Sequence, residues 1–270
     1  MIEKYLNRRA ESLRSLDGLR VELDAERRIG TLVLDRPPLN IVSYKGRSQI
    51  RMLIEEMDED DDIGVIVIRG ANGVYTSGGD VKAFLDIPPD GMSHLAWNIG
   101  APERAAKPVI AAIEKYAMGV GLELALACDF RIATKDSVIA LPESSIGQMP
   151  GSGGAPRVVR LIGLTRAKQM VLLGERIPAE KACDWGLITE VVEDGDALTK
   201  LVHRYAERLN ALAPISRASL KRVLNLAEDT SNAAGLDLEG HAYEKLRGTA
   251  DYKEGIHAFA EKRKAKYHGK

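Results

Sequence analysis

The sequence predicts an α/β fold in which several parallel, buried strands are joined by helical crossovers and followed by a helical C-terminal third. Three features of the 270 residues lead to this prediction. Short apolar runs alternate with segments of helical spacing, which is the pattern of βα units. The runs are apolar on both sides, as in parallel strands covered by helices. Beyond Ala155 almost the whole sequence has helical periodicity.

The first elements are a helix, two strands and a second helix. An apolar stripe predicts an amphipathic helix over residues 2–16, and Gly18–Asp24 and Gly30–Asp35 have the composition of strands. Pro37-Pro38 ends the second strand, because proline cannot donate to a sheet ladder. Helical spacing over Ser43–Met57 predicts the next helix.

The central segment predicts four more strands and a helix. Ile63–Arg69 and Pro108–Glu114 are apolar on both faces and are expected to be buried. Ala117–Asp129 predicts a turn followed by a helix, and Phe130–Ala133 and Val138–Leu141 predict short strands. The chain therefore alternates between strand and helix up to about residue 150.

The C-terminal part is predicted to be helical, with one strand at Ile188–Val192. We expect the chain to divide near residue 200, into a core over residues 1–200 and a helical region over residues 201–270. No tandem repeat, low-complexity tract or flexible linker is visible.

Composition argues against several classes of function. The chain has 38 Lys and Arg against 39 Asp and Glu, and this balance provides no basic field for nucleic acid or an anionic membrane. Cys128 and Cys183 are too far apart for a disulfide framework or a cysteine zinc site, and the five histidines lack metal-ligand spacing. The N-terminus has no apolar leader, and no apolar run is long enough to span a bilayer. The expected location is the cytoplasm.

Three glycine-rich turns are candidates for binding chemistry: Ser77–Asp80, Gly119-Val120-Gly121 and Pro150–Gly154. None of them completes a dinucleotide fingerprint, a phosphate-binding loop or a nucleophile elbow. One such turn alone is typical of a tight connection between a strand and a helix.

Two carboxylates beside these turns favour a catalytic interpretation. Glu123 lies in the apolar segment Leu122–Ala127, and burial there would raise its pKa toward the range of a general acid or base. Taken alone, it fits a partly exposed first-turn carboxylate equally well. Glu143 follows Pro142 and taken alone fits a helix cap better. Together with free backbone amides in the turns, the pair predicts acid–base chemistry on a carbonyl compound.

These residues and motifs resemble the enoyl-CoA hydratase/isomerase family, also called the crotonase superfamily. The likeness runs along nearly the whole chain from about Val21. The segments that carry it are Ser77–Asp80, Pro108–Ile113, Ala117–Asp129, Pro142–Gly154, Gly174–Ala179, Trp185–Ile188 and Glu254–Arg263.

The resemblance implies a crotonase-like spiral of ββα units, with a helical C-terminal region used in trimerisation. It implies a homotrimer, or a homohexamer made of two trimers. The implied substrate is a coenzyme A thioester, and no metal or other cofactor is implied. Nucleic acid and membranes are not expected as partners.

The resemblance also implies roles for individual residues. The amides of Gly79 and Val120 would hold the thioester oxygen as an oxyanion hole. Glu123 would be the general base for water, and Glu143 would protonate the α-carbon. The amide of Gly151 would hold either the catalytic water or the Glu123 side chain. The neighbouring turn residues expected to bind substrate are Ser77, Gly78, Asp80 and Gly121.

The expected reaction is therefore addition of water to an α,β-unsaturated acyl-CoA, or the reverse elimination. A second possibility is a hydratase, hydrolase, isomerase or retro-aldol lyase of the same family that acts on an alicyclic or aromatic acyl-CoA. A third is an acyl-CoA-binding protein without activity, which would have no need for carboxylates at both positions. The acyl group itself is left open by the sequence.

Overall fold

The computed structural model describes residues 13–88, 90, 92, 94–227 and 229–270. The helix predicted over residues 2–16 lies mostly outside the described residues. The strands within them are β1 (Leu19–Asp24), β2 (Ile29–Leu34), β3 (Val65–Gly70), β4 (Val109–Ile113), β5 (Tyr116–Met118), β6 (Phe130–Thr134), β7 (Val138–Ala140), β8 (Ile177–Pro178) and β9 (Glu190–Val192).

Most helices of the described residues lie where the sequence predicts them, but the two short helices between residues 94 and 104 were not predicted. The bounds of the helices are α1 (Tyr44–Glu59), α2 (His94–Ile99), α3 (Ala101–Arg104), α4 (Val120–Leu126), α5 (Gly154–Leu173), α6 (Ala179–Trp185), α7 (Gly195–Asn210), α8 (Pro214–Ala227), α9 (Asn232–Arg247) and α10 (Ala250–Ala260). Short 3₁₀ turns occur at Ala71–Gly73, Lys82–Asp86 and Glu143–Ile146. Ser43 begins α1, because its hydroxyl accepts a hydrogen bond from the Gly46 amide.

A six-stranded sheet forms the centre of the molecule, in the order β1-β2-β3-β4-β6-β9. Among the described strands of this sheet, β1 and β2 pair in antiparallel fashion and the other pairs are parallel. All five residues of β4 are buried, as are five of the six in β3. These strands are apolar on both faces because helices cover both sides of the sheet. The predicted α/β architecture is confirmed.

A smaller sheet, in the order β5-β7-β8, lies beside the first. Strand β4 of the large sheet is followed by β5 of the small sheet and then by helix α4. Strand β6 of the large sheet is likewise followed by β7 of the small one. The chain thus forms the spiral of ββα units that the resemblance implies. Strands β5 and β8 were not predicted. The start of the segment Ala117–Asp129 was expected to be a turn, and strands of three and two residues are too short to show an alternating pattern.

Helix α7 closes the second face of the large sheet. Leu198, Leu201 and Val202 pack there against Val67 and Ile110 in a small apolar cluster. The expected division at residue 200 falls inside this helix, which belongs with the sheet by its packing. The division into two regions stays a prediction. The helices that do not pack on the large sheet begin at Pro214.

The C-terminal helices α8 to α10 expose large apolar side chains in this single chain. Leu220, Leu224 and Phe259 are 56%, 68% and 86% exposed. An exposed apolar face of this kind is typical of an interface between subunits. It supports the expected trimer or hexamer, which stays a prediction.

A buried lysine links α8 to the core through an ion pair and two hydrogen bonds. Lys221 Nζ lies 2.7 Å from Asp129 Oδ2 and donates to the carbonyls of Pro102 and Lys107 at 2.7 and 2.9 Å. The same Asp129 oxygen accepts the Val109 amide at the start of β4. The ion pair therefore joins the C-terminal helices to the large sheet.

Replacing this lysine is expected to destabilise the fold. Lys221→Met removes the partner of a buried carboxylate, and we expect the free energy of unfolding to fall by about 3–5 kcal/mol. Urea denaturation at fixed protein concentration measures the loss. The double variant Lys221→Met with Asp129→Asn, which removes the stranded charge, should recover part of it. Equal losses in the two variants would contradict the charge argument.

Candidate active site

Two of the glycine turns lie against each other between the sheets. The Thr76 amide donates to the Tyr116 carbonyl at 2.9 Å, and the Met118 amide donates back to the Thr76 carbonyl at 3.3 Å. These two hydrogen bonds hold the segments that precede the two turns side by side. A Cβ built on Gly78 would lie 3.1 Å from the Met118 carbonyl oxygen and 4.0 Å from Gly119 Cα. The turns are therefore in direct backbone contact.

Both turns contain backbone amides that donate to no acceptor among the described residues. They include the amide of Gly79 and that of Val120, the first residue of α4. Gly119 precedes the helix with φ 52° and ψ −128°, a conformation that glycine adopts readily. Because Gly119 takes the unusual backbone angles, Val120 is helical and unstrained. The two amides predicted as an oxyanion hole are thus brought to adjoining turns.

Glu123 lies in the first turn of α4 and is only 2% exposed. Its Oε1 accepts hydrogen bonds from the amides of Ser152 at 2.7 Å and Gly154 at 3.0 Å. These amides come from the third glycine turn, where α5 begins. The fit is close, since a Cβ on Gly154 would lie 3.0 Å from Glu123 Cγ. The two hydrogen bonds orient the carboxyl group, and its Oε2 forms no hydrogen bond to described residues.

The structure corrects one expectation about the third turn. The Gly151 amide was expected to hold either the catalytic water or the Glu123 side chain. The Glu123 carboxyl is held by Ser152 and Gly154 instead. Gly151 is exposed, and a Cβ built on it would meet nothing within 4 Å. The contact with water stays a prediction.

Glu143 approaches the same point from the other side. It opens the 3₁₀ turn after Pro142, and a Cβ on Gly119 would lie 3.2 Å from its Oε1. Its Oε2 is buried without a hydrogen-bond partner among the described residues. The pKa of Glu143 is raised to about 7, mainly by burial. The Glu123 carboxyl also raises this pKa, whereas the backbone amide of Glu143 itself and the Arg47 guanidinium lower it. A carboxyl group with this pKa can donate or accept a proton near neutrality.

Arg47 of α1 is a site residue that the sequence analysis missed. It is 5% exposed, and its Nη1 donates to the Ser152 hydroxyl at 3.2 Å. Burial lowers the pKa of this guanidinium, whereas Glu123 and Glu143 raise it. The available signal was its position three residues before Ile50 on the apolar stripe of α1. A charged residue on such a stripe faces the interior.

The remaining predicted residues lie at the margins of this site. Ser77 is half-buried, and Asp80 Oδ2 is 3.8 Å from Arg36 Nη1. Gly121 packs so closely on Thr76 that a Cβ would lie 2.2 Å from Thr76 Cγ2. The structure therefore gives Gly121 a packing role, and the expectation that these residues bind substrate stays a prediction.

The functional groups gathered here are two backbone amides, two carboxyl groups and one guanidinium. In the part of the chain that the structure describes, no group of three or more His, Cys, Asp or Glu side chains is placed to hold a metal ion. None of the described helices is both long and apolar enough to cross a membrane. The arrangement can provide donors for a developing negative charge and two carboxyl groups for acid–base chemistry.

Comparison with known proteins identifies relatives over nearly the whole chain. The model of the enoyl-CoA hydratase/isomerase family matches residues 24–270. The probable enoyl-CoA hydratase 2, mitochondrial, of Arabidopsis thaliana is 35% identical over 242 residues, which are 87% of this chain and 80% of that protein. The enoyl-CoA isomerase/hydratase fer4 of Mycosarcoma maydis is 34% identical over 253 residues, covering 88% of this chain and 92% of its own.

Solved structures show the same architecture. The crystal structure of an enoyl-CoA hydratase from Bacillus anthracis superposes with a TM-score of 0.87 at 31% identity, over 94% of this chain and all of that one. An enoyl-CoA hydratase from Mycobacterium tuberculosis H37Rv gives a TM-score of 0.85 at 29% identity, over 94% of this chain and 99% of that one. The predicted fold class is confirmed by these neighbours.

Proposed function

The chain belongs to the enoyl-CoA hydratase/isomerase family of enzymes, and from that premise we propose that it adds water to an α,β-unsaturated acyl-CoA, or removes water in the reverse reaction. The observation that carries the proposal is the pair of carboxyl groups at adjoining glycine turns. Glu123 is held by two amides, and Glu143 has a buried oxygen and a pKa near 7. Addition of water needs both a base and an acid.

The forward reaction divides between the two carboxyl groups and the amides. Water bonds to the β-carbon and gives a proton to Glu123. The electron pair of the carbon–carbon double bond moves onto the thioester, and the enolate oxygen accepts hydrogen bonds from the amides of Gly79 and Val120. Glu143 gives a proton to the α-carbon. Amide donors of this kind each contribute about 3–4 kcal/mol to lowering the barrier.

The direct test is the absorbance of the conjugated thioester when the enzyme meets crotonyl-CoA. Loss of that absorbance, with a product heavier by one water, supports hydration. Isomerisation is the competing activity, because one relative is named an isomerase/hydratase. It would move the double bond of a 3-enoyl-CoA without changing its mass. Binding of coenzyme A without turnover on any enoyl-CoA would overturn the proposed reaction.

The pH dependence of hydration is expected to report on Glu143. Because Glu143 must hold a proton to protonate the α-carbon, kcat/KM for hydration should fall as the pH rises through about 7, the pKa that burial gives this group. The groups that face it are Glu123, which raises its pKa, and Arg47, which lowers it. A rate that stays level from pH 6 to pH 9 would contradict this assignment.

The close fit around Glu123 predicts a steric effect on catalysis. Gly154→Ala keeps the amide but places a Cβ 3.0 Å from Glu123 Cγ and 3.1 Å from its Oε1. The carboxyl must shift by a few tenths of an ångström. Because a misplacement of about 1 Å can cost about 100-fold, we expect this shift to lower kcat by about 3- to 10-fold. Gly151→Ala, whose Cβ meets nothing within 4 Å, should cause a much smaller loss. Steady-state rates with equal folded fractions compare the two, and similar losses would contradict the steric argument.

A further inference from the structure

Arg47 is a buried cation that the proposed chemistry does not use. It is 5% exposed, and none of its nitrogen atoms forms an ion pair within 4.0 Å with a described carboxylate. Its ring contact is with Tyr44, whose centroid lies 4.8 Å from the guanidinium carbon. Buried charges are ordinarily paired, so this one needs an explanation.

Most of the hydrogen-bonding capacity of the guanidinium is unused. An arginine has five N–H donors, and the structure gives Arg47 one hydrogen bond, from Nη1 to the Ser152 hydroxyl at 3.2 Å. Nε is buried and has no partner among the described residues. A donor group in this state is expected to meet an acceptor when the site is in use.

The guanidinium lies directly beside the reacting groups. A Cβ built on Gly79 would lie 3.0 Å from Arg47 Nη2, so this nitrogen borders the expected oxyanion hole. At the other end, Nη1 contacts Ser152, whose amide holds Glu123. An acyl group seated between the amides and Glu123 would pass along the guanidinium. A purely hydrocarbon acyl group would offer its free donors nothing to bind.

We propose that Arg47 selects acyl-CoA substrates whose acyl group carries an oxygen acceptor close to the reacting carbons, either a neutral hydroxyl or carbonyl oxygen or a carboxylate. This inference deepens the proposed function and rests on it for the site that the acyl group occupies. Planar guanidinium groups match both kinds of oxygen, and they bind carboxylates in bidentate fashion. Arg47 is thereby a specificity-determining residue.

A simpler role for Arg47 would be to balance the charges of Glu123 and Glu143. That role affects every acyl-CoA alike, because the glutamates act on the thioester and its neighbouring carbons. Selection by an oxygen contact affects only substrates that carry the oxygen. The two roles therefore differ in substrate preference and not in overall rate.

The test measures binding of saturated four-carbon thioesters, which need no turnover. Isothermal titration compares butyryl-CoA, 4-hydroxybutyryl-CoA and succinyl-CoA on the full chain and on Arg47→Met. The matched control is Arg51→Met, one turn along α1, whose guanidinium pairs with Glu55 and Asn98. We expect Arg47→Met to weaken binding of at least one oxygen-bearing thioester by about 10- to 100-fold, with butyryl-CoA little changed. Weaker binding of 4-hydroxybutyryl-CoA would identify a neutral oxygen as the acceptor, and weaker binding of succinyl-CoA would identify a carboxylate.

Each result decides between the two roles. Equal weakening for all three thioesters, or no weakening for any, would overturn the selection proposal. Matched turnover assays with crotonyl-CoA, 4-hydroxycrotonyl-CoA and fumaryl-CoA then test the reaction separately. If none of them is hydrated while the binding preference disappears in Arg47→Met, the proposed reaction fails and the specificity role stands. Binding of coenzyme A itself checks that the variant is folded.

Discussion

Glu143→Gln is expected to lower kcat for hydration by about 100- to 10,000-fold, the usual contribution of a positioned acid or base. Glutamine has the same shape but no proton of suitable acidity to give to the α-carbon. The buried Oε2 of Glu143 has no described partner, so the substitution breaks no internal hydrogen bond of that oxygen. The loss should therefore appear in kcat, while binding of coenzyme A and thermal stability stay close to those of the parent chain.

The matched control for this variant is Glu114→Gln. Glu114 is a half-buried carboxyl whose pKa is also raised by burial, but it lies beside Gly73 and Gly195, away from the glycine turns of the site. We expect it to retain the parent rate. The fall of activity above pH 7 should also disappear from the residual rate of Glu143→Gln. A retained fall, or a loss of rate below tenfold, would remove Glu143 from its assigned role.

The fold followed from the sequence because local and long-range preferences agree along the chain. The runs Val65–Ile68 and Val109–Ile113 are apolar on both faces, and only a strand covered by helices on both sides buries such a run completely. Pro37-Pro38 and Gly119 mark points where no strand or helix continues unchanged. These local patterns predict where strands and helices lie, even though they do not show which other elements each one packs against.

The two glutamates were also visible in the sequence, each for a local reason. Glu123 interrupts an otherwise apolar helical segment, and Glu143 follows an apolar strand and a proline. They were paired because each lies near a glycine-rich turn, although 20 positions separate Glu123 from Glu143 in the chain. The structure supplies the missing step: Gly119 leads into the helix of Glu123, and a Cβ on it would contact Glu143.

Contacts between distant segments could not be read from local patterns. The Ser152 hydroxyl that accepts from Arg47 is 105 positions away in the chain. The choice of Ser152 and Gly154, not Gly151, as the holders of Glu123 depends on how the start of α5 packs on α4. The orientation of a single peptide plane decides which amide of a glycine turn points inward. Amino-acid composition carries no information about that orientation.

Glu123→Gln is the second variant expected to have a large effect, again a loss of about 100- to 10,000-fold in kcat for hydration. The glutamine oxygen can still accept from the amides of Ser152 and Gly154, so the loop should keep its position. In the proposed mechanism, the function lost is removal of a proton from the attacking water. The same mechanism assigns the chemistry at the α-carbon to Glu143, so that chemistry should survive this substitution.

Exchange of the α-protons of butyryl-CoA with deuterated water separates the two roles, because it needs only Glu143 and the amides of Gly79 and Val120. We expect Glu123→Gln to catalyse this exchange within about tenfold of the parent rate. Glu143→Gln should catalyse it about 100- to 10,000-fold more slowly, because a positioned base usually contributes that factor. Mass spectrometry of the recovered thioester measures the exchange. If Glu123→Gln abolished exchange and Glu143→Gln preserved it, the acid and base assignments would have to be reversed. Loss in both variants would mean that the glutamates act as one coupled pair at the α-carbon.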